Sequence, residues 1–303
     1  PLFADAGLRV ITTDRHGDVD YVGDLADPTF TAMLPDVDVV VHAAAVQYVT
    51  RSLPFWRRKP WFHRNNVVAT SNLVSRYSGR VRYFLQVGTS MMYDQTLSGP
   101  YGAKSPLKGA GVYSESKLAS VSVAEAMDNP VGVMVPCIIG GPGREGLFPR
   151  FVRTMTGFGV AIVPGTGRHE TQMVHVQDAA ALLVAMVDHD APGLYNAAGS
   201  DALTIRDWID IIGDELGLSG VRVLSVPYPL VKAGAALSRY RLIAREQCLM
   251  LGQPHVLDIS RSQGLGWTPS YDNERIVRAI ARSCAPAASR VWPRCQTPLK
   301  PGG

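Results

Sequence analysis

Over the first two-thirds of the chain, short and nearly unbroken apolar runs alternate with stretches of helical period. "LRVITT" (8–13), "VDVVVHAAA" (37–45), "VRYFLQVGTS" (81–90) and "VGVMVPCII" (131–139) predict strands, and their continuous apolar character predicts burial on both faces. Between them, "NNVVATSNLVSRYS" (65–78) and "YSESKLASVSVAEAM" (113–127) predict helices, the second stopped by the proline of "DNP". Such alternation is the pattern of a parallel sheet covered by helices, so the expected class is α/β with a doubly wound parallel sheet.

From about residue 140 the texture changes to Gly/Pro-rich loops ("GGPGREG", "VPGTGRHE") and shorter helices. "VHVQDAAALLVAMVDHD" (174–190) predicts a helix, as does "TIRDWIDIIGDELG" (204–217), with Ile205, Trp208, Ile209 and Ile212 on one stripe. A main domain is expected over 1–136 and 172–198, and a smaller C-terminal one over 137–171 and 199–283. The proline-rich segment 284–303 has no usable period and reads as a disordered tail. No internal repeat is present.

Composition narrows the function classes. With 303 residues, 46% apolar and 18% charged, the chain suits an ordinary globular protein. A net charge of +4 is too small to indicate nucleic-acid binding. No apolar run reaches the roughly 20 residues of a membrane span, and no signal-peptide pattern opens the sequence, so no membrane partner is expected. Cys137, Cys248, Cys284 and Cys295 are scattered without metal-ligand spacing, which points to no metal, no disulfide framework and a reducing, cytoplasmic location. In "RSLPFWRRKPWFHR" (51–64) basic and aromatic residues interleave. A nucleic-acid or anionic-membrane patch is one reading, and a solvated loop ahead of a helix is the favoured one.

Three features carry chemistry. Tyr113 and Lys117, four residues apart in a predicted helix, project from one face. An ammonium beside a phenol favours the phenolate, lowering a pKa that starts near ~10 and making a general acid/base for a secondary alcohol or ketone. Thr89 follows a strand and is placed to orient the same oxygen, or to cap a turn. Asp14 ends the first visible strand, where a carboxylate in a dinucleotide-binding unit accepts from the adenine ribose. Arg15 and His16 beside it leave NADP open alongside NAD.

In order along the chain, "VITTDR", "GDLAD", "VVVHAAA", "NNVVAT", "VGTSMMYD", "YSESK", "GGPG", "VHVQDAA" and "LDISRSQGLGWTP" resemble the extended short-chain dehydrogenase/reductases of the NAD-dependent epimerase/dehydratase family. The resemblance covers residues 1 to about 283. It implies a Rossmann-type fold with a substrate-binding subdomain, an NAD cofactor, and a homodimer pairing the helices around 66–78 and 114–127. It further implies Tyr113 as acid/base, Lys117 as the lysine that lowers its pKa and holds the nicotinamide ribose, and Thr89 as the catalytic hydroxyl. Asn66 matches the asparagine that shapes the active-site backbone, Asp14 the ribose-binding acid, and Asp24 and Leu25 the pair beside the adenine. Ala43, Ala44 and Ala45 match the small residues at the cofactor, and Pro136 the proline flanking the nicotinamide. His42 and His175 are expected to be structural, and Tyr93 lines the pocket or packs in the core.

The sequence also departs from the family. Dehydratases place Asp-Glu after the threonine, whereas Ser90 and Met91 stand here, so dehydration is discounted. Thr171 or Gln172 occupies the usual position of a pyrophosphate-binding arginine, with Arg168 nearby and Arg245 displaced. The expected activity is hydride transfer at a secondary alcohol or ketone, on a nucleotide sugar or on an apolar sterol-like, polyketide or aryl compound. A catalytically silent dinucleotide-sensing scaffold is the rival from another class. Phe55, Trp56, Trp61 and Phe62 would wall the substrate site if they turn inward. "PLFADAG" looks like the last turn of the helix after a phosphate-binding loop, and "LRVITTD" like the unit's second strand. The first strand and a G-x-x-G-x-x-G turn are not in this sequence. For residues 1–303 that predicts weak or absent NAD binding and marginal stability.

Overall fold

The computed structural model describes residues 1–47, 53–144, 146–241 and 243–284. Helix α1 (Leu2–Asp5) and the short strands β1 (Thr13–Asp14) and β2 (Tyr21–Val22) come first, then α2 (Pro28–Ala32) and β3 (Val39–His42). Helix α3 (Phe55–Phe62) runs through a π-helical turn at His63–Val68 into α4 (Ala69–Tyr77). Strand β4 (Tyr83–Val87), helix α5 (Val112–Glu125) and strands β5 (Val131–Pro136) and β6 (Ile138–Gly140) follow. Next are α6 (Leu147–Phe158), β7 (Val160–Pro164), β8 (Glu170–Thr171), β9 (Met173–His175), α7 (Val176–Asp188) and β10 (Gly193–Ala197). The chain continues with β11 (Leu203–Thr204), α8 (Ile205–Leu216), β12 (Arg222–Val226) and α9 (Tyr228–Leu237). It closes with α10 (Arg245–Met250), α11 (Ser260–Gln263) and α12 (Asn273–Cys284).

Three of the predicted apolar runs, as β3, β4 and β5, pair in parallel with β10, a strand the sequence pattern did not reveal, in the order β10–β5–β4–β3, as the expected α/β class requires. Burial on both faces explains why β4 and β5 read as continuous apolar segments: Phe84, Leu85, Val133 and Val135 are all fully buried. Close packing here leaves no spare volume. A Cβ at Gly132 would overlap the Tyr83 hydroxyl and stand 2.7 Å from the Ala191 carbonyl oxygen. That hydroxyl donates to the same carbonyl at 2.8 Å, so neither atom is free to retreat. Gly132→Ala is therefore expected to cost about 3 kcal/mol of stability through overpacking, read as a lower urea midpoint at unchanged m-value.

The first predicted strand shrinks. Of residues 8–13 only Thr13 enters a ladder, and β1 pairs with β2 rather than with the four-stranded sheet. Leu8 and Val10 are exposed, and an apolar run without a neighbouring strand gains neither ladder bonds nor burial. The predicted solvated loop before residue 65 is also wrong in part: 55–62 is helical, and residues 48–52 lie outside the described residues. Pro60 is tolerated in that helix because it disrupts only the bond to Trp56, whose segment is open to water, and the ladder then resets as the π turn.

A second apolar core lies apart from the sheet, where α6, β7, α8 and α12 meet. It holds the predicted stripe Ile205, Trp208, Ile209 and Ile212 together with Ile276 and Ile280. Of the segment 284–303 read as a tail, Cys284 is the last residue of α12, and residues 285–303, Cys295 among them, lie outside the described residues.

Candidate active site

Gly111 is the N-cap of α5, whose first turn is fastened twice. The Ser114 hydroxyl accepts from the Ala110 and Gly111 amides at 2.9 and 3.1 Å, while the buried Glu246 carboxylate of α10 accepts from the Ser114 amide at 3.0 Å. A carboxylate at a helix N-terminus satisfies an orphan donor and complements the helix dipole. Tyr113 and Lys117 follow on the inner face, both buried.

The wall of a cavity of about 280 Å³ includes Tyr113, Lys117, Thr89, Ala43, Ala45 and Pro136. Six positions named from the sequence thus meet in one place, contributed by α5 and by the ends of β3, β4 and β5. Ligands in open α/β sheets gather at these carboxyl ends, where the chain leaves the sheet. Lys117 is 2% exposed and, among the described residues, forms no ion pair. Burial lowers its ammonium pKa to about 8. Thr89 stands at the end of β4, and its hydroxyl accepts from the Met91 amide at 3.4 Å, capping the turn Ser90–Met92 while its own hydrogen stays available.

Asn66 lies outside that wall but braces it. Its side chain accepts from the Val46 amide at 2.8 Å and donates to the Ser116 hydroxyl at 2.9 Å, and Ser116 donates to the Tyr113 carbonyl at 2.7 Å. The loop after β3 and helix α5 are thereby tied through one amide. Ser116 and Glu246 carry no sequence signal of this role, because each acts on an element remote in sequence or through the backbone. The π turn holds Asn66 and Thr70 inward. Thr70 donates to the Asn66 carbonyl at 2.6 Å and bonds His42 at 3.0 Å.

His42 is buried, and desolvation with the Lys117 charge lowers its pKa to about 3, so it stays neutral and structural. His175 caps α7 by accepting from the Gln177 amide at 3.3 Å and stacks on Tyr271 at 3.8 Å. Tyr93 belongs to the core. Its hydroxyl donates to Asn196 at 2.7 Å, its ring stacks on Tyr101, and burial pushes its pKa up to about 12.

The remaining candidates form a separate group. Asp24 accepts from Arg15 at 3.0 Å and Arg64 at 2.8 Å. Burial raises its pKa, but the Ala26 amide and both guanidinium groups outweigh that and hold it below the ordinary value. Arg15 also donates to Asn65, so its guanidinium is engaged on two sides, and its amide donates to Asp14 at 2.6 Å. Leu25 is buried in the main core, and Ala44 is exposed beyond the cavity wall.

A second cavity of about 340 Å³ shares Met91, Ile138, Arg144 and Met250 with the first. Phe148, Phe151, Trp208 and Leu251 make its wall apolar, and Arg144, Arg150 and His169 bring positive or titratable groups to it. Arg144, in the "GGPGREG" loop, carries no sequence signal of this place, because its neighbours fix no spacing. Its Nη1 donates to the Ile139 carbonyl, and its Nε is buried with no partner among the described residues. By contrast Arg168 and Arg245 are exposed and line neither cavity. Gln172 bridges backbone, donating to the Gly199 carbonyl at 3.0 Å and accepting from the Leu257 amide at 2.8 Å.

The expected aromatic wall divides in two. Phe62 is buried with its ring 6.0 Å from that of Tyr113, and Trp61 packs beside it at 5.1 Å. Phe55 and Trp56 point to solvent instead, 49% and 65% exposed. Helical spacing explains Trp56, since Arg58 and Phe62, four apart, take the inner face of α3 and leave it on the outer one. Phe55 shares the stripe of Phe62 but stands at the open end of the helix, with the Arg239 guanidinium over its ring.

The donor set suits the nicotinamide-ribose end of a dinucleotide. A buried ammonium without an ion pair among the described residues, a phenol and a small-residue floor at Ala43 and Ala45 border one cavity, and a guanidinium nitrogen with no partner among those residues stands where it adjoins the next. Comparison with known proteins agrees. A model of the NAD dependent epimerase/dehydratase family matches residues 2–198. The chain is 28% identical over 204 residues to a dTDP-glucose 4,6-dehydratase of Streptomyces griseus, a match covering 64% of this chain and 61% of that protein. It is 25% identical over 290 residues to a UDP-glucose 4-epimerase of Streptococcus mutans, covering 85% and 80% respectively. The structure of MoeE5 in complex with UDP-glucuronic acid and NAD superposes with a TM-score of 0.73 at 20% identity, covering 93% of this chain and 92% of that one.

Proposed function

Because the chain belongs to the NAD-dependent epimerase/dehydratase family, we propose that it catalyses reversible hydride transfer at a secondary alcohol of a nucleotide sugar, through a transient ketone. The observation that carries the reading is the meeting of Tyr113, Lys117 and Thr89 in one cavity that adjoins a second bearing Arg144 and Arg150. NAD, when bound, supplies the hydride acceptor and donor.

The chain's own residues do the rest. Tyr113 takes the proton from the substrate hydroxyl and returns it to the ketone oxygen. Below pH 8 Lys117 is charged, and its ammonium in a desolvated wall favours the phenolate of Tyr113. Thr89 donates its hydroxyl hydrogen to the same substrate oxygen and aligns it. Asn66 and Ser116 hold α5 against the loop after β3. Arg144 and Arg150 supply guanidinium donors for a pyrophosphate, a role that planar bidentate groups fill well.

Dehydration is not part of the proposal, although the Streptomyces relative is named a dehydratase. β-Elimination needs an acid and a base beyond the tyrosine, and Ser90 offers neither: its hydroxyl bonds the imidazole of His255 at 2.8 Å. Burial lowers the His255 pKa to about 4, so that imidazole is neutral near pH 7. Met91 next to it is apolar. Epimerisation or simple oxidation–reduction remains. Arg15 is held by Asp24 and Asn65, which favours NAD over a 2′-phosphorylated cofactor. The homodimer through the helices around 66–78 and 114–127 belongs to the same proposal.

The test is a screen of UDP- and dTDP-hexoses against sterol-like and aryl ketones, with NAD and NADP in parallel. Formation of a C4 epimer or of NADH with a nucleotide sugar is expected. Turnover of the apolar ketones alone would overturn the substrate class.

A further inference from the structure

We propose that the face built from α3 and α9 docks on the surface of an anionic lipid bilayer. Helix α9 is apolar at every position except Lys232, yet only Ala235 is buried. Leu230 and Leu237, seven residues apart on one stripe, are 63% and 88% exposed, and Ala233 and Gly234 between them are exposed as well. A helix this apolar ordinarily gives its stripe to a core.

The stripe continues onto α3. The Arg58 guanidinium donates to the Arg239 and Tyr240 carbonyls at 2.8 and 3.3 Å, and the Arg239 guanidinium lies 4.4 Å over the Phe55 ring. The end of α9 at Leu237 and the end of α3 at Phe55 and Trp56 therefore share one surface. On the other side β12 exposes Leu224, whose register partner Ile162 on β7 is exposed too.

Charge chooses the partner. Residues 216–245 contain no Asp or Glu but carry Arg222, Lys232, Arg239, Arg241 and Arg245. Residues 53–64 contain no acid and add the exposed Arg57 and Lys59, while Arg58 is buried against α9's end and Arg64 is paired with Asp24. A second copy of this face would set those cations against one another. A nucleic acid would engage the cations and leave Leu230, Leu237 and Trp56 in water. An anionic bilayer uses both sets at once, with the apolar side chains at the acyl boundary and the cations among the headgroups. Attachment of this kind is interfacial, and among the described residues no helix is long and apolar enough to cross a membrane.

Co-sedimentation of the full chain with vesicles decides the matter without any assay of turnover. Binding to mixed phosphatidylcholine–phosphatidylglycerol vesicles is expected to exceed binding to phosphatidylcholine alone by about tenfold or more, and to weaken with salt. Trp56→Ser with Leu237→Ser, and separately Lys59→Glu with Lys232→Glu, should each lower it by about tenfold with unchanged circular dichroism and Tm, since all four side chains are exposed. Equal binding to both vesicle types, wild-type binding by either variant, or no vesicle binding overturns the proposal. In that last case, self-association lost in the serine variant would identify a second copy as the occupant, and salt-sensitive RNA retention would identify a nucleic acid.

Discussion

Tyr113→Phe is expected to lower turnover by about 100- to 10,000-fold while leaving the affinity for NADH within about twofold of wild type, whatever its absolute value. Among the described residues of the cavity wall, the phenol hydroxyl is the proton-transfer group that stands with both Lys117 and Thr89. His42, which feels the Lys117 charge, is neutral and bonded to Thr70, so it offers no substitute base. Removing one oxygen from a side chain whose ring stays packed against Phe62 leaves the cavity's shape intact. A fluorescence titration with NADH and a single-turnover assay separate the two effects. A variant with wild-type turnover would exclude Tyr113 as the acid/base, and a large loss of NADH affinity would make its role binding rather than proton transfer.

Lys117→Met should stabilise the cofactor-free protein at neutral pH and abolish turnover. The ammonium is buried without an ion pair among the described residues, and its pKa falls from an ordinary 10.5 to about 8. Between those values the unfolded chain holds a proton that the folded chain has released, so stability rises as pH climbs from about 8 to 10.5. Below pH 8 the folded protein carries the full burden, about 3 kcal/mol for a shift of this size. Methionine fills the same volume with no charge to desolvate. Urea unfolding at pH 7 should show the variant more stable, and at pH 11 the difference should vanish. A variant less stable than wild type at pH 7 would mean that the ammonium is already compensated in the folded state. Such a group is a functional strain: the desolvation that costs stability is what strengthens the charge beside Tyr113.

Much of this site was legible in the chain because its key groups lie on periodic elements. Tyr113 and Lys117 are one helical turn apart, so local geometry alone puts them on one face. Thr89 and the alanines follow apolar runs, and in a parallel sheet the ends of such runs converge. Phe55 and Trp56 show the limit. Composition set them beside Trp61 and Phe62, but which of the four turn inward depends on the helical phase of α3 and on what packs beneath it. Arg144 illustrates another limit, since a loop arginine has no period and its cavity exists only when two cores come together.

The sequence by itself determined the α/β class, three of the four main-sheet strands (β3, β4 and β5) with the helices between them, and the choice of Tyr113, Lys117 and Thr89, which meet in one cavity. Each of these rests on short-range periodicity or on an ordered series of motifs. Only the tertiary structure decided the rest: the lack of a main-sheet partner for residues 8–13, the carboxylate of Glu246 at the head of α5, the amide of Asn66 between two elements, and the exposure of α9. Those are contacts between residues tens to more than a hundred positions apart, or the lack of them, and no local pattern encodes which distant surface a side chain meets.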